Sequence, residues 1–194
     1  MRSPVAWIAT AGGFGYLPVV PGTFGSAAGV LFFLGLTGLS LPLYGLTVAT
    51  LCCVGVWAAD RAESLFRKQD DGRIVIDEVA GQLVTLTPVL ALTAASPDGA
   101  VTIAVAGQTW WLLVVTAFVV FRVLDIWKPG PIRWAERRFA GGLGVMLDDL
   151  LAGVLGGILM TLPCYGLLVA RMSQPLSQSQ SFLQPLLQSL GFAA

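Results

Sequence analysis

Histidine is absent from this 194-residue chain. Its absence excludes a Ser-His-Asp triad, a phosphohistidine intermediate and a His-ligated zinc ion. Cysteine is scarce: Cys52 and Cys53 adjoin each other in one apolar run, and Cys164 lies far along the chain. They make no disulfide framework and read as small apolar packing residues. A cysteine phosphatase needs Cys-x5-Arg, and Cys164 and Arg171 stand one residue too far apart. There is no phosphate loop of the Gly-x4-Gly-Lys-Ser/Thr type, and the Asp-x-Asp pair of haloacid-dehalogenase-type phosphatases is missing too. Charge itself is the other scarcity. Charged residues make up 11% of the chain, where soluble domains carry about 25%. With a formal net charge of zero, no basic excess points to nucleic acid.

What fills the chain instead is apolar. Hydrophobic residues amount to 56%, and the mean hydropathy is +0.80. Apolar spans run over residues 22–39, 42–59, 79–95, 107–124 and 150–170. A bilayer core of about 30 Å takes around 20 apolar residues per helix. These lengths predict an all-α, polytopic membrane helical bundle of four to five transmembrane helices plus short interfacial helices. One membrane domain over residues 1–171 accounts for the chain. A tail over 172–194, rich in Ser, Gln, Pro and Leu and without charge, is expected to be poorly ordered or adsorbed to the surface.

The few charges are distributed unevenly. Of 11 basic residues all but Arg171, and of 11 acids all but Asp98, fall on the same side of those spans. Cytoplasmic loops are the ones enriched in Lys and Arg. The asymmetry therefore predicts a cytoplasmic N-terminus, an outward C-terminus, and every chemically useful group at the cytoplasmic surface.

Pro and Gly punctuate the spans. Residues 4–14 read as an interfacial helix or loop, because the apolar run after Arg2 is shorter than a signal sequence needs. The turn Pro21-Gly22-Thr23-Phe24-Gly25-Ser26 opens the first span, with Thr23 or Ser26 as its cap. The second span should continue as helix beyond the membrane through 58–68 and break at Gln69-Asp70-Asp71-Gly72. Residues 74–76 suit either the start of the third span or a short extended piece. Pro88 predicts a kink. Trp110, Trp111, Trp127 and Trp134 suit interfacial belts. A short basic helix is expected at 132–138, where Arg137 and Arg138 lie on anionic headgroups. Gly141-Gly142-Leu143-Gly144 reads as a flexible turn, with Asp148 and Asp149 opening the last span, whose Gly153, Gly156 and Gly157 allow close helix approach.

Carboxylates, cations and Gly-rich turns are what remains for chemistry. The acids come in pairs, Asp70/Asp71, Asp77/Glu78 and Asp148/Asp149, with Asp125 alone. Hard cations such as Mg²⁺ take oxygen ligands, usually a few carboxylates plus water and substrate phosphate. Pairs at two helix starts on one face can converge on such an ion, or can be helix caps and solvated loop charges. Arg122 and Asp125 meet at i, i+3 on a helix. Lys128 and Arg133 flank them with groups suited to phosphate. The Pro21-to-Ser26 turn presents free N–H groups to an anion, although many membrane helices begin this way without binding one.

Four stretches together resemble the phosphatidylglycerophosphatase A family of bacterial membrane lipid phosphatases. They are the Pro21-to-Ser26 turn, Asp70-Asp71-Gly72-Arg73-Ile74-Val75-Ile76-Asp77-Glu78-Val79-Ala80-Gly81, Phe121-Arg122-Val123-Leu124-Asp125-Ile126-Trp127-Lys128-Pro129, and Gly141-Gly142-Leu143-Gly144-Val145-Met146-Leu147-Asp148-Asp149. The resemblance implies Mg²⁺-dependent hydrolysis of phosphatidylglycerophosphate to phosphatidylglycerol and phosphate in the bacterial inner membrane. It makes Asp77, Glu78, Asp148 and Asp149 the metal ligands, and Asp77, Glu78, Asp125 and Asp149 the catalytic set. Asp125 would be a further ligand or the general base. Arg122, Lys128 and Arg133, with Thr23 and Ser26, would hold the substrate phosphate. Water attack and a phospho-aspartyl intermediate both fit. An ion-coupled transporter is the alternative from another class, but its acids should sit at mid-span. A CDP-alcohol phosphotransferase needs an Asp-Gly array that Asp71-Gly72 does not complete.

Overall fold

A computed structural model describes residues 3–94 and 103–172. Asp98 and the tail after Met172 lie outside the described residues. Among these residues the structure is entirely helical, without a strand. Helix α1 (Pro4–Ala9) leads into a 3₁₀ turn (Ala11–Tyr16), followed by α2 (Pro21–Leu36), α3 (Leu41–Phe66), α4 (Ile76–Ala94), α5 (Ile103–Trp127), α6 (Gly130–Arg138) and α7 (Gly141–Met172). Among the described residues, three segments are long and apolar enough to cross a membrane: Leu41–Phe66, Thr109–Trp127 and Gly141–Ala170. Helix α2 is apolar but has 16 residues. Helix α4 carries Asp77, Glu78 and Gln82 in its first two turns and hides most of its surface inside the bundle.

Helix α4 is the axis. It packs against α2, α3, α5 and α7. Towards one end, Phe33, Tyr44, Leu83, Leu86, Leu90, Trp110 and Met160 form an apolar core. Towards the other, the small residues Ala58, Ala59, Ala62 and Ala80 pack with Ile76 and Met146. Close approach is set by glycine. A Cβ on Gly153 of α7 would lie 2.5 Å from the Gly81 carbonyl oxygen of α4, and a Cβ on Gly81 would lie 2.6 Å from the Asp149 carbonyl. The backbones touch there, and the Thr85 hydroxyl donates to the Gly81 and Gly153 carbonyls at 3.0 and 3.3 Å.

Several local expectations are corrected. Residues 141–144 are not a flexible turn. Helix α7 begins at Gly141, so Asp148 and Asp149 lie two turns inside it. Gly142 and Gly144 serve packing instead: a Cβ on the first would overlap the Val56 carbonyl, and one on the second would press the Phe139 carbonyl at 2.7 Å. Neither Thr23 nor Ser26 caps α2, which starts at Pro21 with Val20 before it and no side-chain cap. Trp110 leaves the belt for the core, 2% exposed and stacked on Phe33, whereas Trp111, Trp127 and Trp134 are exposed. Residues 74–75 lie outside any helix or strand and lead into α4, which starts at Ile76; the Val75 N–H donates to the Ala9 carbonyl at 2.9 Å. Helix α3 does run on to Phe66, ending in a left-handed Arg67. Pro88 sits inside α4 without terminating it.

Candidate active site

The Gly81–Gly153 contact determines where the acids go. Asp77 and Glu78 precede Gly81 by one helical turn, and Asp149 precedes Gly153 by one turn. Joining the helices at the glycines therefore brings the three carboxyl groups together. One oxygen from each of Asp77, Glu78 and Asp149 lies within 4.8 Å of the other two. Asp77 is 8% exposed and Asp149 3%. Glu78 Oε2 and Asp77 Oδ1 are buried and have no hydrogen-bond partner among the described residues. Three like charges at this distance repel strongly in a low-dielectric interior, and unpaired buried acceptors are costly. A hard divalent cation relieves both, since oxygen-only ligands are what it prefers. The donor set fits such an ion.

Helix α2 closes one wall through three glycines that meet the first turns of α4. A Cβ on Gly22 would overlap Glu78 Oε1 and come within 3.2 Å of Arg122 Nη1. One on Gly25 would lie 2.8 Å from the Val75 Cβ, and one on Gly29 would lie 2.8 Å from the Gln82 Cβ. Arg122 reaches this wall from α5. Its Nη1 donates to Asp125 and, at 3.3 Å, to the Ser26 hydroxyl, which itself donates to the Gly22 carbonyl at 2.9 Å. Asp125 is close enough to act electrostatically on Glu78 and Asp149. The i, i+3 pair read from the sequence is thus formed beside the acids.

Asp148 is directed elsewhere. Neighbours on an α-helix point about 100° apart, and Asp148 faces Lys128, whose Nζ donates to Asp148 Oδ2 at 2.7 Å and to Glu136 Oε1 at 2.8 Å. Lys128 adopts a left-handed backbone, φ 47°, which ends α5 and swings its side chain back over α7. Burial pulls the Lys128 ammonium down, but the Asp148 and Glu136 carboxylates outweigh it and hold its pKa well above the ordinary lysine value. Asp148 lines a cavity of about 180 Å³ with Glu63, Asp70 and Glu136. Arg133 turns away from the acids and donates to the Trp127 carbonyl at 3.2 Å. The Thr23 hydroxyl makes no hydrogen bond among the described residues. Asp71 is tied to Arg73 by bonds of 2.7 and 2.9 Å, and Asp70 folds its backbone N–H onto Glu63.

Two residues escape the sequence reading. Gly22 was visible as one glycine in a turn, but not as the position that leaves room for Glu78. Gln82 is fully buried one turn beyond Glu78, and neither end of its amide has a partner among the described residues. Its signal was a lone amide in an apolar span, the kind of intramembrane polar group that marks function.

Comparison with known proteins bears on this constellation. The family described as phosphatidylglycerophosphatase A matches residues 7–163, which hold all of these groups. The chain belongs to that family. It is 39% identical over 160 residues to the phosphatidylglycerophosphatase A of Escherichia coli strain K12, covering 82% of this chain and 83% of that protein. The phosphatidylglycerophosphatase A of Haemophilus influenzae is 28% identical over 161 residues, 82% of this chain and 88% of that one. A Bacteroides thetaiotaomicron protein named as a candidate phosphatidylinositol-3-phosphatase is 37% identical over 159 residues, 79% and 89% of the two chains. No solved structure matches. Family membership makes this chain a phosphatase, and its apolar helices associate it with a membrane.

Proposed function

We propose that this chain hydrolyses the phosphomonoester of phosphatidylglycerophosphate, giving phosphatidylglycerol and inorganic phosphate, at the cytoplasmic face of the bacterial inner membrane. The observation that carries the reading is the convergence of Asp77, Glu78 and Asp149 within 4.8 Å beside the Arg122–Asp125 pair. The names of the Escherichia coli and Haemophilus influenzae relatives supply the substrate. The concentration of Lys and Arg at the same end of the spans supplies the orientation.

In this reading Asp77, Glu78 and Asp149 hold a Mg²⁺ ion. When bound, that ion supplies charge neutralisation at the phosphoryl oxygens and acidifies water. Arg122 presents its guanidinium to the substrate phosphate, fixed in direction by Asp125 and Ser26. Asp125 faces Glu78 and Asp149 and accepts the proton of the attacking water. Lys128 adds a second cation at the rim and anchors Asp148. Asp148 acts in a supporting position by orienting Lys128, and Thr23 by contact with the lipid phosphate, whereas Arg133, turned onto the Trp127 carbonyl, stands outside the site.

The test uses the purified full chain in mixed micelles with phosphatidylglycerophosphate, with Mg²⁺ or with EDTA. Free phosphate should appear with Mg²⁺ alone and vanish in Asp77→Asn, Glu78→Gln and Asp149→Asn. Near-normal turnover in two of those variants defeats the assignment. Phosphatidylinositol 3-phosphate forms a second arm, prompted by the Bacteroides relative's name. Faster release from that lipid would reassign the headgroup while leaving the site in place. Turnover that depends on a cytidine nucleotide would move the chain to the phosphotransferase class.

A further inference from the structure

Helix α6 joins the ends of two membrane-crossing segments, Thr109–Trp127 and Gly141–Ala170, so it lies at the membrane surface. Its inner side is apolar: Ile132 and Ala135 are fully buried, and Ile132 packs with Phe121, Leu124 and Ala152. The other side is a groove of about 300 Å³ lined by Gly130, Arg133, Trp134, Arg137 and Arg138. The first four stand at i, i+3, i+4 and i+7, one face of a helix. No acid lines the groove. Glu136, the single acid of α6, is turned onto Lys128 at 2.8 Å. Arg137 and Arg138 form no ion pair among the described residues, and Arg133 uses one donor on the Trp127 carbonyl.

We propose that this groove binds the headgroup of an anionic phospholipid, at a site separate from the acid cluster. A phosphodiester offers two non-bridging oxygens, which a guanidinium meets bidentately. Trp134, 59% exposed and set edge-on to Phe139, is the amphipathic ring expected at headgroup depth. Zwitterionic lipids carry the same phosphodiester with a cation attached, and three arginines repel that cation, so the groove selects net negative charge. Stabilising the helix C-terminus accounts for Arg137 and Arg138 in the last turn. It does not account for Arg133, which sits near the positive N-terminal end with no acid beside it in the groove. Gly130 leaves the head of the groove open, since a Cβ there meets nothing within 4 Å.

The full chain in a neutral detergent is titrated with dioctanoyl phosphatidylglycerol, with dioctanoyl phosphatidylcholine and with inorganic phosphate. Binding is read by native mass spectrometry and by thermal shift. Phosphatidylglycerol should bind saturably at the groove, more weakly as salt is raised; phosphatidylcholine should not bind there, and inorganic phosphate should not displace the lipid from it. Arg137→Gln with Arg138→Gln should weaken binding at least about tenfold, a factor worth about 1.4 kcal/mol. Gly130→Trp, which fills the groove from an open position, should do the same. Asp149→Asn should bind as the parent does, which separates this groove from the acid site and from any failure of the catalytic reading. Equal affinity for phosphatidylcholine, binding of inorganic phosphate at the groove, or unchanged binding in both the double variant and Gly130→Trp overturns the proposal.

Discussion

A side chain on Gly22 and the carboxylate of Glu78 cannot share the space between α2 and α4. Overpacking at such a contact typically destabilises by about 1–3 kcal/mol, and here the atom displaced belongs to the site. Gly22→Ala should lower phosphate release by more than about tenfold, which is 1.4 kcal/mol of barrier. Helix content by circular dichroism should stay at the parent level. Gly35→Ala is the control, because a Cβ there meets nothing within 4 Å, and it should leave turnover unchanged.

Neutralising one member of the acid trio separates stability from activity. Asp77, Glu78 and Asp149 crowd within 4.8 Å, so Asp149→Asn removes repulsion. In EDTA it should melt above the parent by a few degrees, since about 1 kcal/mol corresponds to about 2–4 °C in a chain of this size. Adding Mg²⁺ should raise the parent's melting temperature by mass action and move the variant far less. A variant that melts lower in EDTA and responds to Mg²⁺ like the parent contradicts the cation reading.

Lys128 serves two acids at once. Lys128→Gln strands Asp148, 8% exposed, without its cation. Breaking a buried pair costs about 3–5 kcal/mol, and the partial exposure of this one brings the expectation down to about 1–2 kcal/mol. Asp148→Asn combined with Lys128→Gln should recover most of that loss. A double-mutant cycle on melting temperatures gives the coupling.

The loop before α4 carries a pH-dependent tie. The hydrogen bonds from Arg73 hold the Asp71 carboxyl below its ordinary value. A depressed folded-state pKa adds stability above the unfolded value, about 3.9 for aspartate, and that stability is lost as pH falls through the folded value. Melting followed from pH 6 to pH 3 should therefore fall more steeply in the parent than in Asp71→Asn. Parallel curves would show that the pair contributes nothing to the fold.

Much of this architecture was legible in the sequence because its causes are local. Apolar runs of membrane length gave the helices, Pro and Gly gave their boundaries, and charge asymmetry gathered the chemistry at one end. Arg122 and Asp125 could be paired from spacing alone, since i and i+3 are neighbours on any helix. Boundaries failed where glycine did something other than turn the chain. Residues 141–144 looked like a loop, yet the missing side chains of Gly142 and Gly144 let α7 press against α3 and the Phe139 carbonyl while staying helical. Trp110 looked interfacial by position, but its ring stacks on Phe33 inside the buried core.

The sequence by itself determined that this is an all-helical membrane protein with paired carboxylates at one end of its spans, because hydropathy and helical period are properties of neighbours along the chain. The tertiary structure alone decided which acids meet. Asp148 and Asp149 are adjacent in sequence and alike in chemistry, but about 100° of helical rotation separates them. The contact of Gly81 with Gly153 turns one toward Asp77 and Glu78 and leaves the other to Lys128. That choice is a matter of packing between distant segments, which no local pattern encodes.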